Sequence, residues 1–186
     1  MMIPYLSTPD LPEDHRRKAE LVLPPPRRFR PLAGQPRSVQ LGSQQTGQSG
    51  FGPTAAQKAG IRYEAKAQVH LAALLPHYRV APHIFFEDDD GWRYVVPDGL
   101  LIQPRATFVF EIKVRHMADS WWQLRKLYVP IFEALDPRVP VVPIEVCQSY
   151  DPAIEYPEAV QMIEDLETVV KATEWPKVIH VWTWRP

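Results

Sequence analysis

The chain has 186 residues, 21 of them proline, and a net charge of −1. That is room for one domain with a core plus an arm, not for two full domains. A single cysteine, Cys147, excludes an intramolecular disulfide and any cysteine-based zinc cluster. No apolar run reaches the ~18 residues of a membrane span, and no charged-then-apolar leader is visible, so a soluble, cytoplasmic protein is expected. The near-neutral total hides an asymmetry: residues 1–130 sum to +5 and residues 131–186 to −6. Any polyanion is therefore expected to meet the first two-thirds of the chain.

Residues 1–53 are expected to form an arm and linker rather than a core. Prolines interrupt any periodicity, leaving room for one short helix around 13–23, and residues 34–52 are rich in Gly, Gln and Ser. Such a segment reads as a mobile tail or, because it cannot bury enough apolar surface alone, as an arm ordered by a protein partner or an oligomer mate. The basic cluster Arg27-Arg28-Phe29-Arg30 suits phosphates or an acidic groove.

The folded domain is expected over 54–186. Thr54-Ala-Ala-Gln57 matches a capping box, and helical spacing runs on to Leu75, where Pro76 stops it. The apolar stripe passes through Ala56, Gly60, Ala67, Leu71 and Leu74, with Glu64 on the same stripe. Glu64 then either needs a cation or donors to offset its burial, or lies at the edge and reaches water.

Tyr78–Phe86 and Trp92–Val96 read as a hairpin around the acidic tip 87–91, which lacks the spacing of a calcium loop. Asp98 follows Pro97 at a strand break, and Leu100–Ile102 resumes the strand. In Thr107–Val114, Phe108, Phe110, Ile112 and Val114 share one face, and Val109, Glu111, Lys113 and Arg115 the other. A helix is expected from 119 or 120 to Leu135, kinked or divided at Pro130. Val139–Cys147 reads as an edge or bulged strand because of its prolines. A helix from Pro157 to Thr173 and a strand over Lys177–Trp184 complete the chain.

The chain holds two acid-x-lysine triplets, Glu64-Ala-Lys66 and Glu111-Ile-Lys113, so the triplet alone does not discriminate. Context does: Glu111-Ile-Lys113 ends an apolar strand, Asp98 sits at the preceding strand break, and Glu64 lies on the helix upstream. Two carboxylates suit a hard, oxygen-preferring cation, and a nearby lysine suits the charge of a phosphodiester under attack.

At these residues the chain resembles the PD-(D/E)xK nuclease superfamily. The resemblance covers roughly 54–148: Glu64, then Pro97-Asp98, twelve residues, Glu111-Ile-Lys113, then a helix and a strand. It implies an α/β fold: a central mixed sheet flanked by helices, as an α-β-β-β-α-β restriction-endonuclease-like core with an extra C-terminal helix and strand. It also implies Mg²⁺ or Mn²⁺ held by Asp98, Glu111 and the Ile112 carbonyl, with Glu64 holding a second ion or anchoring the first through water. Lys113 would position water, and Asp98, Glu111, Lys113 and Glu64 would form the catalytic set.

Members related to lambda-type exonucleases carry a glutamine with tyrosine four residues later. Here that offset from Gln123 gives Leu127, and Tyr128 comes one beyond. Arg62, Lys66, Arg115, His116, Gln123, Arg125 and Lys126 are candidate DNA contacts, with solvated surface charge as the other reading of the charged ones. The implied activity is a metal-dependent DNA endonuclease of low or structure-dependent specificity. The alternative is a nuclease-fold component of a phage head or other DNA-handling assembly, docked through its arm, with cleavage secondary or lost.

Overall fold

The computed structural model describes residues 21–22, 54–88 and 91–186. Apart from 21–22, the expectations for the arm lie outside the described residues, as does the centre of the acidic tip. The fold is α/β, a mixed six-stranded sheet flanked by helices.

Helix α1 (Ala55–Leu74) begins as the sequence predicts. Thr54 accepts from the Gln57 N–H at 3.2 Å and the Gln57 side chain accepts from the Thr54 N–H at 2.8 Å, satisfying two otherwise orphaned donors. The face it buries is Tyr63, Ala67 and Leu71. Ala56 lies outside this face, exposed, and Tyr63 replaces it as the bulky anchor.

Strand β1 (Leu21–Val22) pairs in parallel with β3 (Ile84–Asp88), which forms an antiparallel hairpin with β4 (Gly91–Val95). These three make a small separate sheet. The expected Tyr78–Phe86 strand is thus two strands in two sheets: β2 (Arg79–Val80) belongs to the main one. Ala81, at φ 43°, separates them, a left-handed turn that no extended strand accommodates.

The main sheet runs β2, β5 (Gly99–Ile102), β6 (Thr107–Arg115), β7 (Val141–Ser149), β9 (Ile179–Thr183), β8 (Val160–Ile163). β2, β5 and β6 pair antiparallel, and the rest parallel. β7 is central, not an edge: Pro140 precedes it, and Pro143 falls one residue before the β7–β9 ladder opens at Ile144. The expected 157–173 helix is also corrected. Its first half is strand β8, and only α4 (Leu166–Lys171) is helical, started by Asp165 accepting from the Glu167 and Thr168 N–H groups at 3.0 and 3.3 Å.

One face of the sheet packs Phe108, Phe110, Ile112, Val142, Ile144 and Val146 against α1 and α4. The other packs Val109, Cys147 and Val181 against a long helical segment carrying Leu124, Tyr128 and Ile131. That segment is α2 (Ala118–Trp122), a π-helical stretch over Gln123–Tyr128, and α3 (Val129–Leu135). Within it the Val129 N–H reaches back five residues to the Leu124 carbonyl. Pro130 has no N–H to give, so the helix widens ahead of it instead of breaking.

Burial separates neighbours on α1 sharply. Leu71 is fully buried and Val69 is 72% exposed. Leu71→Ala is expected to cost roughly 2–5 kcal/mol in urea denaturation, and Val69→Ala to stay within about 0.5 kcal/mol. Equal losses would contradict the packing of α1.

Candidate functional site

The site gathers where β5 stops short of β6. Gly99 pairs with Phe110, and beyond it Pro97 and Asp98 leave the ladder. The backbone donor that β5 no longer meets is taken by a side chain: the Ile112 N–H donates to Asp98 Oδ2 at 2.7 Å. The N–H and C=O of a strand residue point to the same side, so the Ile112 carbonyl also faces the gap at Asp98. Its side chain lies in the core, 4% exposed.

Glu111 and Lys113 follow on the opposite face of β6 and form an ion pair, with Glu111 1% and Lys113 25% exposed. Glu64, half-buried on α1, accepts from Gln68 Nε2 at 3.0 Å, and Gln68 also donates to the Asp98 carbonyl at 3.3 Å. Gln68 therefore ties α1 to the start of β5. The sequence reading passed over it, although its i+4 offset from Glu64 was the available signal.

Electrostatics bind these groups into one unit. Burial pushes the Asp98 carboxyl up to about 6; the Ile112 hydrogen bond opposes the rise, Glu64 adds to it and Lys113 opposes it. Burial likewise pushes Glu111 up to about 8, with Asp98 raising it further and Lys113 opposing. For Lys113, burial works against the ammonium, but Glu111, Asp98 and Glu64 outweigh it and hold its pKa above the ordinary value. Three carboxylates thus share one lysine.

Glu111 Oε2 is buried without a hydrogen-bond partner among the described residues. The Tyr128 hydroxyl donates to the Val96 carbonyl at 3.4 Å and lies beside Glu111; burial first, then the Glu111 and Asp98 charges and a hydrogen bond with Glu111, hold its pKa well above ordinary.

The π-helical winding bears on the Gln123 and Tyr128 pair. A turn that bonds i to i+5 places residues five apart on one face, so the offset of five positions here does what four does in an α-helix. Tyr128 is buried against the site, and Gln123 Oε1 is buried without a partner. No sequence pattern announced the π turn.

The other candidate contacts divide. Arg115 is exposed at the end of β6 in the Glu111 and Lys113 alternation, beside the site. Arg62 and Lys66 are exposed on α1, but each stands two positions, roughly 200°, from Glu64, on the helix's far side. Lys126 is exposed and its ammonium lies 5.2 Å from the Trp121 ring centroid.

Two expectations are corrected. His116 is 1% exposed: Nδ1 lies 2.7 Å from Glu145 Oε2, and Nε2 lies 3.2 Å from the Ile154 carbonyl. A carbonyl only accepts, so Nε2 carries a proton, and the ring has nothing left for phosphate. The Tyr156 hydroxyl meets the same Glu145 oxygen at 2.7 Å, which makes this trio a buried clamp on the loop after β7. Arg125 is committed as well, to Glu158 at 2.6 Å and the Lys177 carbonyl at 2.7 Å.

In charge and ligand type, Asp98, Glu111 and the Ile112 carbonyl fit a hard divalent cation, and burial with neighbouring carboxylates raises both acids, so the group lacks positive charge. Among the described residues no three His, Cys, Asp or Glu side chains stand together closely enough to hold an ion by themselves. Mg²⁺ commonly takes one or two carboxylates and completes its shell with water, which is compatible with this set. No helix among the described residues is long and apolar enough to cross a membrane. No family model, curated protein or solved structure matches the chain.

Glu111 makes stability depend on pH. Its folded-state pKa lies above the ordinary value, so its contribution is fully present below the unfolded pKa and is lost as pH rises through about 8. The melting temperature of the wild type should fall between about pH 4.5 and 8, and Glu111→Gln should flatten that fall. An unchanged slope in the variant would refute the assignment. Separately, Glu145→Ala leaves His116 Nδ1 without its partner in the interior, while the Tyr156 hydroxyl keeps the Met117 carbonyl at 3.1 Å, and should cost about 3–5 kcal/mol in equilibrium denaturation. A loss under about 1 kcal/mol would mean that the trio is no clamp.

Proposed function

We propose that the protein is a divalent-metal-dependent DNA endonuclease of low or structure-dependent specificity, with a restriction-endonuclease-like core. The observation that carries this reading is the electrostatic coupling of Asp98, Glu111, Lys113 and Glu64 where β5 stops short of β6. The sequence places them on three separate elements, and their charges act on one another in the fold. A structural salt bridge would need one acid for Lys113. Here three carboxylates accumulate and two of them are pushed toward protonation, a costly arrangement that positive charge from outside the chain would relieve.

Asp98, Glu111 and the Ile112 carbonyl, with Glu64, would hold Mg²⁺ or Mn²⁺, which would supply Lewis-acid neutralisation of phosphate charge. The protein groups do the rest. Glu111 holds Lys113 charged and oriented at the opening of the site, where its ammonium can position the attacking water or offset charge on the phosphorus. Asp98 is fixed by the Ile112 N–H, so its second oxygen stays directed at the gap. Arg115, beside Lys113, extends positive charge toward the flanking phosphates.

The test is cleavage of branched, duplex and single-stranded DNA in Mg²⁺ by the wild type, Lys113→Ala and Asp98→Asn. Each variant should lose at least ~100-fold in rate while keeping the wild-type fold by circular dichroism. Equal cleavage by all three proteins, or none by the wild type on any substrate, would overturn the assignment.

A further inference from the structure

Tyr78 lies in the short link between α1 and β2, at the foot of the acidic site. The backbone on both sides of it is unusual: His77 has φ 69° and Ala81 has φ 43°, both left-handed and neither glycine. Such conformations persist where surrounding contacts enforce them, and they concentrate at functional positions. The enforcing contacts are the Tyr78 N–H to the Leu75 carbonyl at 3.1 Å and the Ala81 N–H to the Asp98 carbonyl at 3.1 Å. The segment is therefore fastened to the residue that opens β5.

The Tyr78 ring packs edge-on against Phe110, centroids 5.2 Å apart, and its hydroxyl comes down over Gly99. A Cβ at Gly99 would stand 1.9 Å from Oη, so the side chain occupies the space that only glycine leaves. The hydroxyl is buried, has no hydrogen-bond partner among the described residues, and has Asp98 and Glu64 as charged neighbours. One oxygen of each acid is engaged, Asp98 Oδ2 by the Ile112 N–H and Glu64 Oε1 by Gln68, and neither acid accepts from Tyr78. Tyr128, the other phenol at the site, does find a protein acceptor at Val96. Tyr78 is a donor beside the acidic group that has no partner among the described residues.

We propose that Tyr78 is a substrate-contacting residue, its hydroxyl donating a hydrogen bond to a non-bridging phosphate oxygen of a nucleic-acid strand bound at the acidic site. This rests on the nuclease reading. A phosphate drawn to the carboxylates by their cation brings an acceptor to where the phenol waits. A buried donor that meets its partner only in the complex costs stability in the free protein and returns it on binding.

The experiment compares the full-length wild type with Tyr78→Phe in two measurements, thermal melting without ligand and steady-state cleavage of a short DNA duplex across a Mg²⁺ titration. The variant should melt at the wild-type temperature or higher, because it loses only an unsatisfied hydroxyl. Its kcat should fall roughly 10- to 100-fold, with the Mg²⁺ concentration for half-maximal rate unchanged. A lower melting temperature would show that the hydroxyl is structural and overturn the proposal. So would unchanged kcat in a variant whose wild-type parent cleaves, leaving the nuclease reading intact. Failure of the wild type itself to cleave would remove both.

Discussion

The hydrogen bond from the Ile112 N–H to Asp98 Oδ2 is the contact from which the rest of the site follows. β6 is nine residues long and its antiparallel partner β5 only four, so β6 outruns its neighbour toward its C-terminal end. An unpaired N–H in that position would be a buried orphan, and each such group costs about 1–3 kcal/mol. Placing a carboxylate there solves the backbone problem and creates an electrostatic one. The oxygen that satisfies the amide brings a negative charge to within reach of Glu111 and Glu64. Lys113 compensates in part, and the remainder is carried as raised carboxyl pKa values.

The second long-range constraint is the parallel register of β6 on β7, which sets Glu111 beside Glu145. The two glutamates share a sheet face and are both buried, yet they live in different company. Glu145 has His116 and Tyr156 as partners and serves to fasten the loop after β7. Glu111 has Lys113 and one oxygen left over. Each glutamate keeps one buried oxygen without a partner among the described residues, and what distinguishes them is the company of the other oxygen: a histidine and a phenol for Glu145, an ammonium for Glu111.

Much of this was legible in the sequence where a local rule governs. The capping box at Thr54 and Gln57, the alternation through β6 and the strand break at Pro97 each depend on neighbours within a few residues, and each is found where those rules put it. The failures are equally specific. Val160 and Ile163 fit a helical repeat as well as a strand pairing, and only β9 decides between them. Ala81 carries no mark of its left-handed turn, so one expected strand became two. His116 and Arg125 look like free basic groups because Glu145 and Glu158 lie about 30 positions away along the chain. Gln68 and Tyr78 were missed for a similar reason, since what gives them meaning is Asp98 and Gly99 across the fold.

The widened turn at Gln123–Tyr128 sets the rotational phase of everything after it. A helix that takes in one extra residue turns its downstream half by roughly 100° relative to regular winding. Leu127, Tyr128, Ile131 and Phe132 are buried against the sheet with that offset included. One residue of chain length is therefore a packing parameter of this face of the molecule. Deleting a single position between 123 and 128 would leave composition nearly untouched and yet present a different set of side chains to β6 and β7, with Tyr128 carried away from Glu111.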